Sequence, residues 1–293
     1  DPQHVEGWKK VTKSVHDADG AIFCQLWHMG RATASVFHGL QPVGPSAIAA
    51  EGWAFDYAHD KVPYVVPRAL TTDEIPAVVE EFRQAAQNAK EAGFDGVEIH
   101  SANGYLLDEF LQSVSNVRTD KYGGSLENRF RLIAEIVEAV LTVYPSSRVG
   151  IRLAPNGAGK SMGGADNYEA FSYFCKRLNA YNLGYLHIMD GLSWGFHDKC
   201  RQFKLADARK VFDNAIIGNV GYEKLTAEGA INSGAADLIA FGRPYIANPD
   251  LVERCKNDWP LAVAGHEVWW TYPTFPEESS HGYSDFPAFK PEN

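Results

Sequence analysis

The sequence predicts an α/β barrel of parallel strands folded as one domain, and three observations predict it. Short apolar runs alternate with helical patterns six times along the chain, polar side chains stand at the ends of those runs, and glycine-rich turns follow the last two. The fold class is a TIM (β/α)8 barrel with six of its eight βα units present.

Each element can be justified in order. Residues 1–19 read as a helix with Val5, Trp8, Val11 and Val15 on one stripe. The first apolar run is 20–27 (GAIFCQLW), followed at intervals by 94–100, 148–153, 184–189, 215–219 and 236–241. Between the first two lies the clearest helix, about 73–92, with Ile75, Val78, Val79, Phe82, Ala85, Ala86 and Ala89 on one face. The capping box Thr71-Thr72-Asp73-Glu74 precedes it and Gly93 stops it. A second helix, about 126–143, follows Ser125 and carries Phe130, Ile133, Ile136, Val137 and Val140. Two long segments, 29–70 and 258–293, lack helical pattern and are rich in aromatics; long loops in a single domain are usually functional. No linker divides residues 1–293.

Strand alternation assigns the side chains to faces. A barrel strand turns apolar residues toward the helices while the alternate set lines the interior and mouth. Ile22, Cys24 and Leu26 therefore face outward and Phe23, Gln25 and Trp27 inward. By the same phase Glu98 and His100 point inward between Val97 and Ile99, as does Arg152 between Ile151 and Leu153.

Composition narrows the chemistry. The chain has 293 residues, 45% hydrophobic and 22% charged, enough for a large core and too apolar for disorder. Its 27 basic and 37 acidic residues give a net charge of -10 with no basic stripe, which argues against nucleic acid as a partner. No run approaches the ~18 apolar residues of a membrane span, and the opening residues do not read as a signal peptide. Cys24, Cys175, Cys200 and Cys255 are scattered, so neither a thiolate zinc site nor an iron–sulfur cluster is expected, and a cytoplasmic, reducing compartment is the simplest reading.

Three groups of residues point to chemistry. Gly218-Asn219-Val220-Gly221 and Phe241-Gly242-Arg243-Pro244 end the last two strands, where barrels recurrently bind phosphate; glycines alone would merely permit tight turns. His100, Asn103 and Tyr105 offer two hydrogen-bond donors and a phenol, suited to polarise a carbonyl and deliver a proton. Gln25 and Arg152 form either a buried polar network or a seat for an anion or electron-rich ring.

The stretches Gln25-Leu26-Trp27-His28-Met29-Gly30-Arg31, Phe94 to Leu106 and Asn116 to Arg129 resemble the Old Yellow Enzyme family of flavin-dependent ene-reductases, as do Phe241-Gly242-Arg243-Pro244 and Gly282-Tyr283-Ser284-Asp285-Phe286-Pro287. The resemblance runs from about residue 5 to 289. It implies noncovalent FMN at the barrel mouth, with Gln25 and Arg152 at the ring and Gly218, Asn219, Gly242 and Arg243 at the phosphate. It further implies NAD(P)H as reductant, with NADPH favoured, and an activated alkene (enone, enal or nitroalkene) held by His100 and Asn103 and protonated by Tyr105. Trp27 and Phe275 would line the substrate site, in a monomer or homodimer. Where family members often carry Phe-Tyr this chain has Phe275-Pro276, so a tyrosine hydroxyl near the substrate is not expected.

Two rivals remain at this stage: a metal-dependent barrel hydrolase using His100 and His187 with Asp190 nearby, and a degenerate barrel without turnover. The strand carrying Gln25 resembles the family's third. The expectation is therefore a chain lacking the first two βα units, on the order of 60 residues or more, and holding FMN weakly.

Overall fold

The structure is a computed structural model that describes residues 1–263, except 35, 36, 38, 57, 59 and 192–194, together with residues 285–290. Helix α1 (Pro2–His16) opens the chain, its N-terminus capped by the Asp1 carboxylate, which accepts from the Gln3 and His4 backbone N–H groups. Strand β1 (Phe23–Leu26) follows. The 29–70 segment then holds four short strands: β2 (Val43–Gly44), β3 (Trp53–Phe55), β4 (Lys61–Pro63) and β5 (Arg68–Ala69). They pair as β2 with β5 and β3 with β4, pieces of two or three residues too short to leave a periodic pattern.

After α2 (Ile75–Glu91) and β6 (Gly96–Ser101) come α3 (Leu106–Leu111) and α4 (Leu126–Leu141). The strands β7 (Val149–Leu153), β8 (Tyr185–Met189), β9 (Ala215–Asn219) and β10 (Leu238–Ala240) then alternate with α5 (Asn167–Asn179), α6 (Leu205–Arg209) and α7 (Lys224–Asn232). Two short helices, α8 (Arg243–Ala247) and α9 (Leu251–Asn257), come after β10.

Each of the six apolar runs becomes a strand of one parallel sheet, in the order β1-β6-β7-β8-β9-β10. One face of that sheet meets the helices. Val97, Ile99, Ile151, Leu153, Leu186, Ile188 and Ile216 are buried there with Phe82 and Ala86 of α2, Phe130, Ile133 and Val137 of α4, and Phe171 and Phe174 of α5. Burying each large side chain contributes roughly 1.5–3 kcal/mol, so this continuous layer dominates stability. On the other face, register aligns the polar residues: Gln25 lies beside Glu98, and His100 beside Arg152, which lies beside His187.

The start of α2 differs from the expected capping box. Pro76 occupies the first turn, removing one of the N–H groups a cap would satisfy, and Glu74 folds back to accept from the Thr71 backbone N–H and hydroxyl and from Arg68. The pair closes the turn ahead of the helix instead of capping it. Helix α4 is capped as expected, Ser125 Oγ accepting from the Asn128 N–H at 3.2 Å. No helix among the described residues is long and apolar enough to cross a membrane.

Candidate active site

The site stands on a rigid base made by α3 and the loop 112–125. Arg118 donates from Nε to Asp120 and from Nη1 to the carbonyls of Pro45 and Leu70, and its Nη2 pairs with the second Asp120 oxygen. Thr72 donates to the same carboxylate at 2.6 Å. Asn116 donates to the carbonyls of Phe110 and Tyr122, and Arg129 to that of Leu111 while pairing with Asp166. The Arg118 guanidinium holds the Asp120 carboxyl far below the usual carboxylate range. These are the residues of the most distinctive sequence stretch, and they fasten the 29–70 segment and the start of α4 to the barrel.

The polar face of the sheet is organised around Glu98. It accepts from Gln25 Nε2 at 2.6 Å and meets His187 Nδ1 at 2.9 Å. Burial pushes the Glu98 carboxyl up, but those hydrogen bonds and the charges of His187 and Arg152 outweigh it and leave it below its ordinary value. Arg152 donates from Nη2 to Asn219 Oδ1 at 2.7 Å, and Asn219 in turn donates to the Ala240 carbonyl. One chain of bonds thus fixes Arg152 to the ends of β9 and β10. Gln25 is exposed at the sheet's outer strand although it faces the polar side as expected.

His100 is 5% exposed, and burial reinforced by the positive charge of Arg152 pushes its pKa down to about 3. At neutral pH it is an uncharged hydrogen-bonding ring. Its ring centroid lies 5.4 Å from that of Tyr105, edge to face, and Trp27 meets the Tyr105 ring edge-on at 4.8 Å. Asn103 and Gly104 turn the chain between them with φ of 63° and 71°. Among the described residues, His100 Nδ1, Asn103 Oδ1, Arg152 Nε, His187 Nε2 and Asp190 Oδ1 are buried without a hydrogen-bond partner. Unsatisfied buried polar atoms cost about 1–3 kcal/mol each, and two of these residues, Asn103 and Arg152, line one cavity suited to receive a polar group.

A cavity of about 980 Å³ opens over these strand ends, lined by Asn103, Tyr105, Arg152, Asn219, Gly242 and Arg243 among others. It thus joins the expected proton donor to the expected phosphate turns. Gly218 is not among its lining residues: a Cβ there would point at the ends of the Leu205 and Ile239 side chains, 2.7 Å from Leu205 Cδ1 and 2.9 Å from Ile239 Cδ1, away from the cavity. Gly242, by contrast, stands in open space. Trp27 is half exposed beside Tyr105, and Phe275 lies outside the described residues.

Sequence reasoning noted Glu98 only as inward-facing and did not anticipate three further groups. Asp108 and Glu109 on α3 are buried carboxyls, pushed by desolvation up to about 6 and about 8. Lys160, in the loop after β7, reaches back to the Asn103 carbonyl at 2.8 Å. No motif could have revealed it, because its position depends on loop conformation. The metal-hydrolase rival finds no support: His187 Nδ1 is engaged by Glu98, and no metal-binding group of three His, Cys, Asp or Glu side chains occurs among the described residues.

Comparison with known proteins identifies the family. Residues 1–262 match the model of the NADH:flavin oxidoreductase / NADH oxidase family. The chain is 40% identical over 295 residues to the "Probable flavin mononucleotide-dependent alkene reductase" of Leishmania infantum, covering 98% of this chain and 78% of that protein. Among solved structures, an old yellow enzyme homologue from Zymomonas mobilis superposes with a TM-score of 0.90 at 42% identity, covering 97% of this chain and 79% of that one. Morphinone reductase in complex with tetrahydroNAD gives 0.88 at 38%, covering 98% and 77%. The parallel sheet, its polar face and these likenesses agree: the chain belongs to the NADH:flavin oxidoreductase / NADH oxidase family and has the α/β barrel fold of Old Yellow Enzyme.

Proposed function

We propose that this protein reduces the C=C bond of activated alkenes, such as enones, enals and nitroalkenes, with noncovalent FMN and a nicotinamide reductant, NADPH being favoured. The observation that carries the reading is the cavity at whose edge Asn103 and Tyr105 lie and which runs on to Arg152, Asn219 and Arg243. A relative named as an FMN-dependent alkene reductase and a structural neighbour solved with tetrahydroNAD support the reaction class and the reductant.

The residues present fit FMN. Its flat ring carries both hydrogen-bond donors and acceptors, matching the mixed set of unpartnered atoms on Arg152, His187 and His100. Gln25 and Arg152 would hold the ring, and Asn219, Gly242 and Arg243 the phosphate, with open space at Gly242. When bound, FMN supplies the hydride chemistry.

The chain's own residues bind, orient and protonate. His100 and Asn103 hold the carbonyl or nitro oxygen, and His100, uncharged at neutral pH, polarises it as a hydrogen-bond donor. Tyr105 gives its phenolic proton to the neighbouring carbon, and general-acid help of this kind is worth roughly 10²–10⁴-fold. Trp27, half exposed beside Tyr105, borders the substrate. The four free cysteines suit the cytosol and the acidic net charge disfavours nucleic acid; the working form is a monomer or homodimer of a single barrel domain.

The decisive experiment separates the two half-reactions. Tyr105→Phe should slow oxidation of the reduced flavin by cyclohexenone on the order of 10²-fold or more, while reduction by NADPH changes little. Equal losses in both would remove Tyr105 from the proton-donor role.

A further inference from the structure

We infer that Lys160 is a positioning residue for proton transfer, its ammonium held against the Tyr105 ring so that the phenol parts with its proton more readily. The inference rests on Tyr105 being the proton donor. Lys160 Nζ lies 4.2 Å from the Tyr105 ring centroid and donates to the Asn103 carbonyl at 2.8 Å. A cation over an aromatic face is attracted by the neutral ring, and far more strongly by the anion the ring becomes on losing its proton.

The backbone around Lys160 is bent to put it there. Lys160 and Ser161 both adopt φ of 60°, the left-handed region that costs an ordinary residue energy and survives where the surroundings enforce it. Here they do. Arg31 Nη2 donates to the Lys160 carbonyl at 3.0 Å, and Ser161 Oγ accepts from the Glu51 N–H at 2.9 Å. The lysine stem packs on Gly104, where any Cβ would come within 3.1 Å of Lys160 Cβ and 2.9 Å of Met162 Cγ. Trp27 bounds the Tyr105 ring edge-on, so the phenol is framed by an indole, an imidazole and an ammonium.

The charged groups around the pair fix the sign. Burial lowers the Lys160 pKa while Asp108 and Glu109 draw it back up; burial raises those two carboxyls in turn, with Arg31 and Lys160 opposing. His100, whose ring lies 5.4 Å from that of Tyr105, is uncharged at neutral pH. The Lys160 ammonium, 4.2 Å from the ring centroid, is the cation that lies over the phenol. In the step itself the phenolic O–H bond breaks and leaves its electron pair on the Tyr105 oxygen, while the alkene carbon takes the proton with the pair released from the C=C π bond as hydride adds at the other carbon. The phenolate recovers a proton from water. Lys160 stabilises the phenolate without giving up a bond.

The test has two readouts, one independent of FMN. In protein labelled with 13Cζ-tyrosine, the resonance lost in Tyr105→Phe identifies Tyr105. Its titration midpoint should rise by about 1 pH unit in Lys160→Met and stay near that of the unaltered protein in Lys160→Arg. In the FMN-loaded protein, Lys160→Met should slow flavin oxidation by cyclohexenone roughly tenfold when Tyr105 is present. It should change it less than twofold in the Tyr105→Phe background. An unmoved midpoint in Lys160→Met, or Lys160→Arg behaving like Lys160→Met, overturns the assignment of Lys160. A Tyr105→Phe protein with undiminished oxidation overturns the proton-donor reading instead.

Discussion

Two half-buried arginines, Arg118 in the loop before α4 and Arg152 on β7, show how a fold distinguishes fastening from function. Arg118 is bonded through Nε and both terminal nitrogens, to one carboxylate and two carbonyls drawn from three separate parts of the chain. Arg152 has one bond, to Asn219, with Nε buried and unpartnered among the described residues, and burial lowers its pKa despite Glu98 nearby. A saturated guanidinium has nothing left to offer a ligand. One left under-bonded in a cavity costs stability that a bound ring can return.

That contrast can be broken most decisively at Arg118. Arg118→Ala leaves Asp120 and two carbonyls without their partner and should cost about 2–3 kcal/mol in urea unfolding, the usual loss when partly buried acceptors are left unpaired. A cost below about 1 kcal/mol would mean the loop is held by something else. Arg152→Ala should do the reverse. Glu98 keeps Gln25 and His187, so stability should change by less than about 1 kcal/mol, while FMN affinity, read by quenching of flavin fluorescence, falls roughly 10–100-fold. Unchanged affinity would place Arg152 with the fastenings.

The smallest effect sharpens the comparison from within the fastened region, where Glu109 is the imperfect member. Its pKa is raised to about 8, so between about pH 4.5 and pH 8 the folded protein holds a proton that the unfolded chain has released. Stability must therefore fall as pH rises through that window, by about 1.4 kcal/mol per pH unit at most. Asp108 and Asp190, both raised to about 6, add the same sign at lower pH, so the clean comparison lies between pH 6.5 and 7.5. Glu109→Gln should flatten the slope there, and an unaltered slope would assign it to another group.

How much of this was legible in the sequence depends on range. All six strands of the parallel sheet were readable because each is a short apolar run between helical patterns, and alternation within two of them assigned Glu98, His100 and Arg152 to the polar face. Asn103 and Tyr105 followed from their place just after β6. The strands of the 29–70 segment were not readable, since two or three residues hold no period. Lys160 was not readable either: its role comes from two successive left-handed residues braced by Arg31 and Glu51, partners more than 100 positions away. Gly218 was assigned to phosphate binding from its turn-like context, whereas it faces Leu205 and Ile239 and does not line the cavity.

Arg31 deserves a last consequence, for anyone who would alter substrate range by exchanging loops. Its buried guanidinium donates to the Ile48 carbonyl with one nitrogen and to the Lys160 carbonyl with the other, riveting a loop after β1 to a loop after β7. Neither loop is an independent module. Grafting one alone from a relative would bring a backbone that fits no rivet, so the two must be transplanted as a pair, with the arginine, to yield a folded chimera.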